Sequence, residues 1–316
     1  MWLQVRMYLL LGVMFAILYA LLVAVGSYMG VGSFFSYLIL GFVMLFVQFM
    51  IGPKLVEWTM RVKYVTPQEE PELHKIVEEL SRKAGIKKPR VAISSMNIPN
   101  AFAFGRWGGD ARVCVTRNIM NLLSEDELKA VIGHELSHVK NRDVMVITLL
   151  SIVPMICWYI AMSFMYGGRD REGRGNAAFL GIAAFLLYFI TNLLVLYGSR
   201  IREYYADLGS VKLGNQPHYL ASALYKIVYG SAKTPQSELQ KVQGARAFFL
   251  NDPARAMNEI QELQVIDANL SGTIDLNELM DMKNKEVKLS STDKLMEIFT
   301  THPNMLKRIK HLSTLT

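Results

Sequence analysis

The sequence predicts an α+β, mainly α-helical integral membrane protein with about four transmembrane helices and a folded domain that carries a small β-sheet. Three observations lead there. Hydrophobic residues fill 52% of the 316 positions and charged residues only 19%, against about 25% charged in a soluble domain. The deficit is gathered into four long apolar runs. The segments between those runs read as soluble protein, with capped amphipathic helices and short β-branched strands.

Met7 to Tyr28 and Phe34 to Ile51 are uncharged and long enough to cross a bilayer. Gly26 to Ser33 turns between them, so residues 1–52 are expected to form a transmembrane hairpin. The first run exceeds a signal-peptide core, and a second follows at once, so both are expected to be retained. Arg6 precedes the hairpin, Lys54, Arg61 and Lys63 follow it, and no charge lies inside it. The positive-inside rule then puts both of its ends in the cytoplasm.

Residues 53–144 are the first part of the folded domain. Thr66 to Gly85 is predicted as a helix, with Thr66 as cap, Pro67 in the first position and Glu69 closing a capping box. Leu73, Ile76, Val77 and Leu80 share one face, and Gly85 ends it. Arg90 to Ser94 and Arg112 to Thr116 read as strands. Asn100 to Gly105 lies between them, with Phe102 and Phe104 on one side. Asn118 to Leu123 is a short helix, and Ser124 with Glu127 opens another by a second capping box. Met145 to Met165 and Ala177 to Tyr197 are expected as a second transmembrane hairpin, residues 145–198; its Pro154 is tolerable in a membrane helix. The loop Gly167 to Asn176 has three arginines and two acids, a sign that mildly opposes an external location. Residues 199–316 return to soluble, mostly helical character as the second part of the domain.

Composition also excludes some functions. The net charge of +7 comes without a basic stripe interleaved with aromatics, so no nucleic-acid partner is expected. Cys114 lies in a soluble segment and Cys157 in an apolar run, so no disulfide is expected. His74, His218 and His311 lie on amphipathic helices and are assigned no role.

The helix opened by Ser124 carries His134-Glu135-Leu136-Ser137-His138. Two histidines four residues apart leave one helix face a turn apart, which lets both bind one tetrahedral Zn²⁺. Glu135 stands beside the first ligand, where it can take a proton from water activated by the metal. A third ligand is required. The best candidate is Glu203, in Ser199-Arg200-Ile201-Arg202-Glu203-Tyr204-Tyr205-Ala206-Asp207. Asp207 shares its face and can accept the remaining N–H of a ligand histidine. Ala206 is small enough for close helix packing.

The segments V-I-G-H-E-L-S-H-V-K-N-R-D (Val131 to Asp143) and S-R-I-R-E-Y-Y-A-D resemble the HtpX family of membrane-embedded zinc metallopeptidases, relatives of the CaaX prenyl endopeptidases. N-A-F-A-F-G (Asn100 to Gly105), T-H-P-N-M-L-K-R-I (Thr301 to Ile309) and the order of elements extend the resemblance over most of the chain. It is least typical from Gln236 to Thr292. The resemblance implies a zincin-like, gluzincin-type catalytic domain at the cytoplasmic face of the cell membrane. It implies one Zn²⁺ per chain and cleavage of misfolded or damaged membrane proteins. His134, His138 and Glu203 would be ligands, Glu135 the general base and acid, and Asp207 the support of His134. His302 would stabilise the oxyanion, with help from Arg200. Asn100, Ala101, Phe102 and Ala103 would bind an extended peptide by strand addition. A CaaX-type prenyl protease is the rival enzyme, but it uses about seven spans, and four are too few for its chamber. A silent metal-binding scaffold would not require an intact Glu135.

A second motif lies at 267–278. Asp267, Asn269, Ser271, Thr273, Asp275 and Glu278 fall at the oxygen-ligand positions of an EF-hand loop, with Gly272 at the sharp turn. This predicts either an accessory Ca²⁺ site or a helix–turn–helix with Gly272 in a tight turn and Asp275 as a cap.

Overall fold

The computed structural model describes residues 31–166, 174–235, 266–285 and 291–316, with isolated positions in 9–21, 249–250 and 259–263. The chain divides into two compact units, one of residues 1–51 and 145–201, the other of 52–144 and 202–316.

In the first unit, helix α1 (Val31–Thr59) begins and contains the run Phe34 to Ile51. Helix α5 (Asp143–Tyr166) and helix α6 (Arg174–Lys212) hold the later apolar runs. Among the described residues, two helices are long and apolar enough to cross a membrane, Asp143–Met165 and Ala178–Lys212. The run Met7 to Tyr28, the turn before Ser33 and the loop after Tyr166 fall largely outside the described residues, as does much of 236–265.

The second unit is built on a four-stranded sheet in the order β1-β2-β4-β3. The strands are β1 (Val62–Tyr64), β2 (Arg90–Ser94), β3 (Ala101–Phe104) and β4 (Arg112–Thr116). β2 and β4 pair in parallel, and β3 runs antiparallel to β4 with Ala103 opposite Val113. β3 is therefore an edge. Phe102 and Phe104 turn into a cluster with Val56, Met60 and Cys114, while Ala101 faces the main core. Gly105, at φ 150°, turns the chain out of β3. A Cβ there would lie 2.5 Å from the Asp110 carbonyl oxygen, so only glycine fits.

Helix α2 (Pro71–Ala84), helix α4 (Glu125–Lys140), helix α7 (Pro217–Ala232) and helix α10 (Met305–Ser313) pack around the main core. Val131, Ile132 and Leu136 of α4 are fully buried there, each worth about 1.5–3 kcal/mol of transfer free energy. The Ser124–Glu127 capping box starts α4. Glu127 is itself buried, and it accepts hydrogen bonds from Ser222 Oγ at 2.6 Å and Lys226 Nζ at 2.8 Å on α7.

Three local expectations change. Thr66 and Glu69 do exchange hydrogen bonds, but they close a turn, and α2 begins later at Pro71 with Gly85 as its left-handed cap. The proline at the first helical position is thus Pro71, not Pro67. The short helix, α3 (Arg117–Leu122), starts a residue early because Thr116 caps it. β1 is too short to be marked by periodicity, and forms because Arg61, at φ 49°, turns the chain after α1 to pair with β2.

Candidate metal centre

Two helices build the centre. α4 presents His134 and His138, one turn apart, and α6 presents Glu203 and Asp207. α6 is a single helix from its apolar part to Lys212, so its charged end is continuous with the apolar stretch. Small residues bring the two helices together. A Cβ on Gly209 would stand 2.6 Å from Ser137 Cβ, and one on Gly133 would stand 2.9 Å from Ser210 Oγ. Ser210 Oγ donates to the Ala130 carbonyl at 2.6 Å, and Ala206 is fully buried.

The imidazoles point their Nε2 atoms at each other, 3.1 Å apart. Glu203 closes the triangle, with Oε2 3.6 Å from His134 Nε2 and Oε1 3.6 Å from His138 Nε2. Ligands around a tetrahedral zinc at about 2.1 Å lie about 3.4 Å apart. Among the described residues, His134, His138 and Glu203 are the only such group whose ligand atoms all lie within 4.8 Å. Two further observations fit a cation. Glu203 Oε2 is buried and, among the described residues, accepts no hydrogen bond, though the Arg308 guanidinium stands 3.1 Å away as an ion-pair partner. Asp207 Oδ1, 2.9 Å from His134 Nδ1, takes that nitrogen's proton-bearing side, which leaves the Nε2 lone pair for a metal. Burial opposes protonation of His134, but the hydrogen bonds to Asp207 and Glu203 outweigh it and push its pKa up to about 9. Burial and the His134 charge hold His138 below its usual value.

Glu135 is buried beside these three side chains. Its Oε2 accepts the Ala103 N–H of β3 at 2.7 Å. Burial raises its carboxyl pKa, against the pull of His134 and His138, which would suit a carboxylate that takes and returns a proton. His302 is buried, with Nδ1 3.3 Å from Glu203 Oε1. Asn100 is fully buried, and its Oδ1 accepts the Leu250 N–H at 3.1 Å. Arg200 belongs to the other unit, where its guanidinium lies over the Tyr197 ring.

Arg308 was not marked by sequence reasoning. It is fully buried on α10 and grips Asp207 with two hydrogen bonds, Nε to Oδ2 at 3.0 Å and Nη2 to Oδ1 at 2.6 Å. Nη1 lies 3.1 Å from Glu203 Oε2 and donates to the Leu250 carbonyl. The only signal was its place in T-H-P-N-M-L-K-R-I, six residues after His302.

The 267–278 loop does not support calcium. Among the described residues its acids form no metal-holding group. Their oxygens accept donors of the loop and its neighbour. Asp267 takes Ser271 N and Gly272 N, each at 2.8 Å, and Tyr225 Oη at 2.9 Å. Glu278 takes Ala268 N at 2.9 Å and Asp275 N at 3.1 Å. Asp275 caps the helix α8 (Leu276–Met282), which is followed in the chain by helix α9 (Ser291–Ile298). Asn269 Oδ1 accepts Ser271 N, and Ser271 meets Thr273.

The family model for peptidase family M48 matches residues 67–316. The chain belongs to peptidase family M48. It is a metallopeptidase, and the HtpX proteases are among its relatives. The protease HtpX homolog of Methanothermobacter thermautotrophicus is 51% identical over 78% of this M48 chain and 94% of its own. That of Moorella thermoacetica is 41% identical over 78% and 84%. Protease HtpX homolog 2 of Methanosarcina mazei is 34% identical over 94% and 90%. Among solved structures, S. mikatae Ste24p matches at 17% identity with a TM-score of 0.48, over 94% of this chain and 62% of that one.

Proposed function

We propose that this M48 chain is a membrane-bound zinc endopeptidase that hydrolyses peptide bonds of misfolded or damaged membrane proteins. The observation that carries the reading is the placement of Glu135, buried between a His-His-Glu metal triangle and the backbone of an edge strand. Zinc, when bound, supplies a Lewis acid that polarises the carbonyl and activates water.

The chain's own residues do the rest. His134, His138 and Glu203 hold the ion. Asp207 fixes His134. Glu135 takes the proton from water and returns it to the leaving nitrogen. His302 offers a ring N–H toward the developing oxyanion. Asn100 to Ala103 receive the substrate as an added strand, so recognition rests on backbone and tolerates varied sequences. The four apolar runs are read as four spans, and Arg6, Lys54, Arg61 and Lys63 orient both ends of the first hairpin, and with them the metal centre, to the cytoplasm.

The test is to purify the full chain in detergent, measure zinc, and assay cleavage of casein with and without Glu135→Gln. Stoichiometric zinc in both proteins and loss of at least about 100-fold in rate are expected. Zinc-free protein, or equal rates, defeats the proposal. Ala103→Pro removes the edge N–H that Glu135 accepts, and is expected to impair cleavage while zinc stays bound. Unchanged cleavage counts against strand addition.

A further inference from the structure

Each ligand imidazole has a second nitrogen, and each of those nitrogens has a carboxylate. Asp207 serves His134. At His138 the partner is Asp143, whose Oδ2 accepts from Nδ1 at 2.6 Å. Asp143 is buried, at 6% exposure, so its charge needs an opposite one. Its Oδ1 meets the Arg202 guanidinium. Arg202 Nη2 also donates to the Asn141 carbonyl at 3.1 Å, across 61 positions of sequence.

A tight turn delivers the carboxylate. α4 ends at Lys140, Asn141 keeps helical angles, and Arg142 takes φ 57°. That left-handed residue folds the chain back, and Asp143 opens α5 beside the imidazole it follows by five residues. The arrangement repeats the one at His134, where Arg308 grips Asp207. Each ligand histidine is thus backed by a buried Asp–Arg pair.

We propose that Asp143 is a positioning residue for His138, and that Arg202 holds it there. With the Nδ1 proton committed to Asp143, the Nε2 lone pair is fixed toward Glu203 and the metal. The inference rests on the zinc reading above. The pair also has a particular place in the chain. The domain is left after Val144 and re-entered at Arg202. Asp143 and Arg202 therefore clasp the two ends of the inserted apolar segment next to one ligand.

The test uses the full chain in detergent. Zinc affinity is measured by chelator competition, and the d–d absorption of the cobalt-substituted protein reports ligand geometry. Asp143→Ala is expected to weaken zinc binding by about 10–100-fold and to shift the cobalt bands. Asp143→Asn, which keeps an acceptor, should recover part of the affinity, and Arg202→Lys should fall between it and the wild type. If Asp143→Ala loses its cooperative melt, Asp143→Asn decides by the same two readouts. Variants that melt like the wild type and keep its zinc affinity within twofold and its cobalt spectrum overturn the proposal. A wild type that binds neither metal overturns the zinc reading and this one with it, so the two failures are told apart.

Discussion

At the scale of single residues, the centre depends on charges that would be costly alone. Asp207 and Arg308 are both fully buried, and a buried ion has to be matched by a partner or it destabilises the fold. Arg308→Met should therefore cost about 3–5 kcal/mol in the metal-free protein, because it strands Asp207. Adding Asp207→Asn should return part of that loss. Denaturant unfolding of the detergent-solubilised chain measures both, and a single-variant loss under about 1 kcal/mol would contradict the account. The same residues mark the limit of sequence reading here. His134, Glu135 and His138 are legible because one helix holds all three, and a spacing of four states their geometry. Glu203 and Asp207 are legible by the same spacing on a second helix. Arg308 stands 101 positions from Asp207, on an element with no chemistry of its own, so no local pattern could announce it.

Among elements, the informative feature is how closely α4 and α6 approach. Leu128, Val131 and Leu136 mark the apolar face of α4 in sequence, and Ala206 hints at close packing. The glycines did not stand out, since a helical glycine has meaning only when its neighbour is known. Gly209→Ala would push a methyl group into Ser137, with an overpacking cost of about 1–3 kcal/mol. Any relief by separation of the helices would draw Glu203 away from the histidines. Zinc affinity should fall in that variant and recover when Ser137→Gly is added. Isothermal titration of the two proteins checks this, and an undiminished affinity in Gly209→Ala would rule the packing account out. Strand boundaries were more legible than helix starts. β2 and β4 follow their β-branched residues, whereas α2 starts at Pro71 because the Thr66–Glu69 box is spent on a turn. β1 has three residues and depends on pairing with β2 more than on its own composition.

For the whole molecule, the domain that holds the metal triangle is interrupted by the apolar segment 145–201. Sequence reading found the apolar runs by composition but broke α6 near its glycine at 198, where the structure keeps one helix of 39 residues. Glu203 lies on the same helical rod as the apolar run. Two glycines inserted between Tyr197 and Gly198 should interrupt that rod and lower zinc affinity by about tenfold or more, since closing a long flexible loop costs several times RT. Retention of full affinity by a folded insertion variant would refute this. The interruption also sets an order in time. A ribosome releases His134 and His138 before the segment 145–201, Glu203 only after it, and Arg308 174 positions behind His134. The nascent chain therefore carries an incomplete hydrolase through most of its synthesis. On the zinc reading proposed above, it becomes able to cut proteins only once its apolar segment and the arginine that grips Asp207 are both in place.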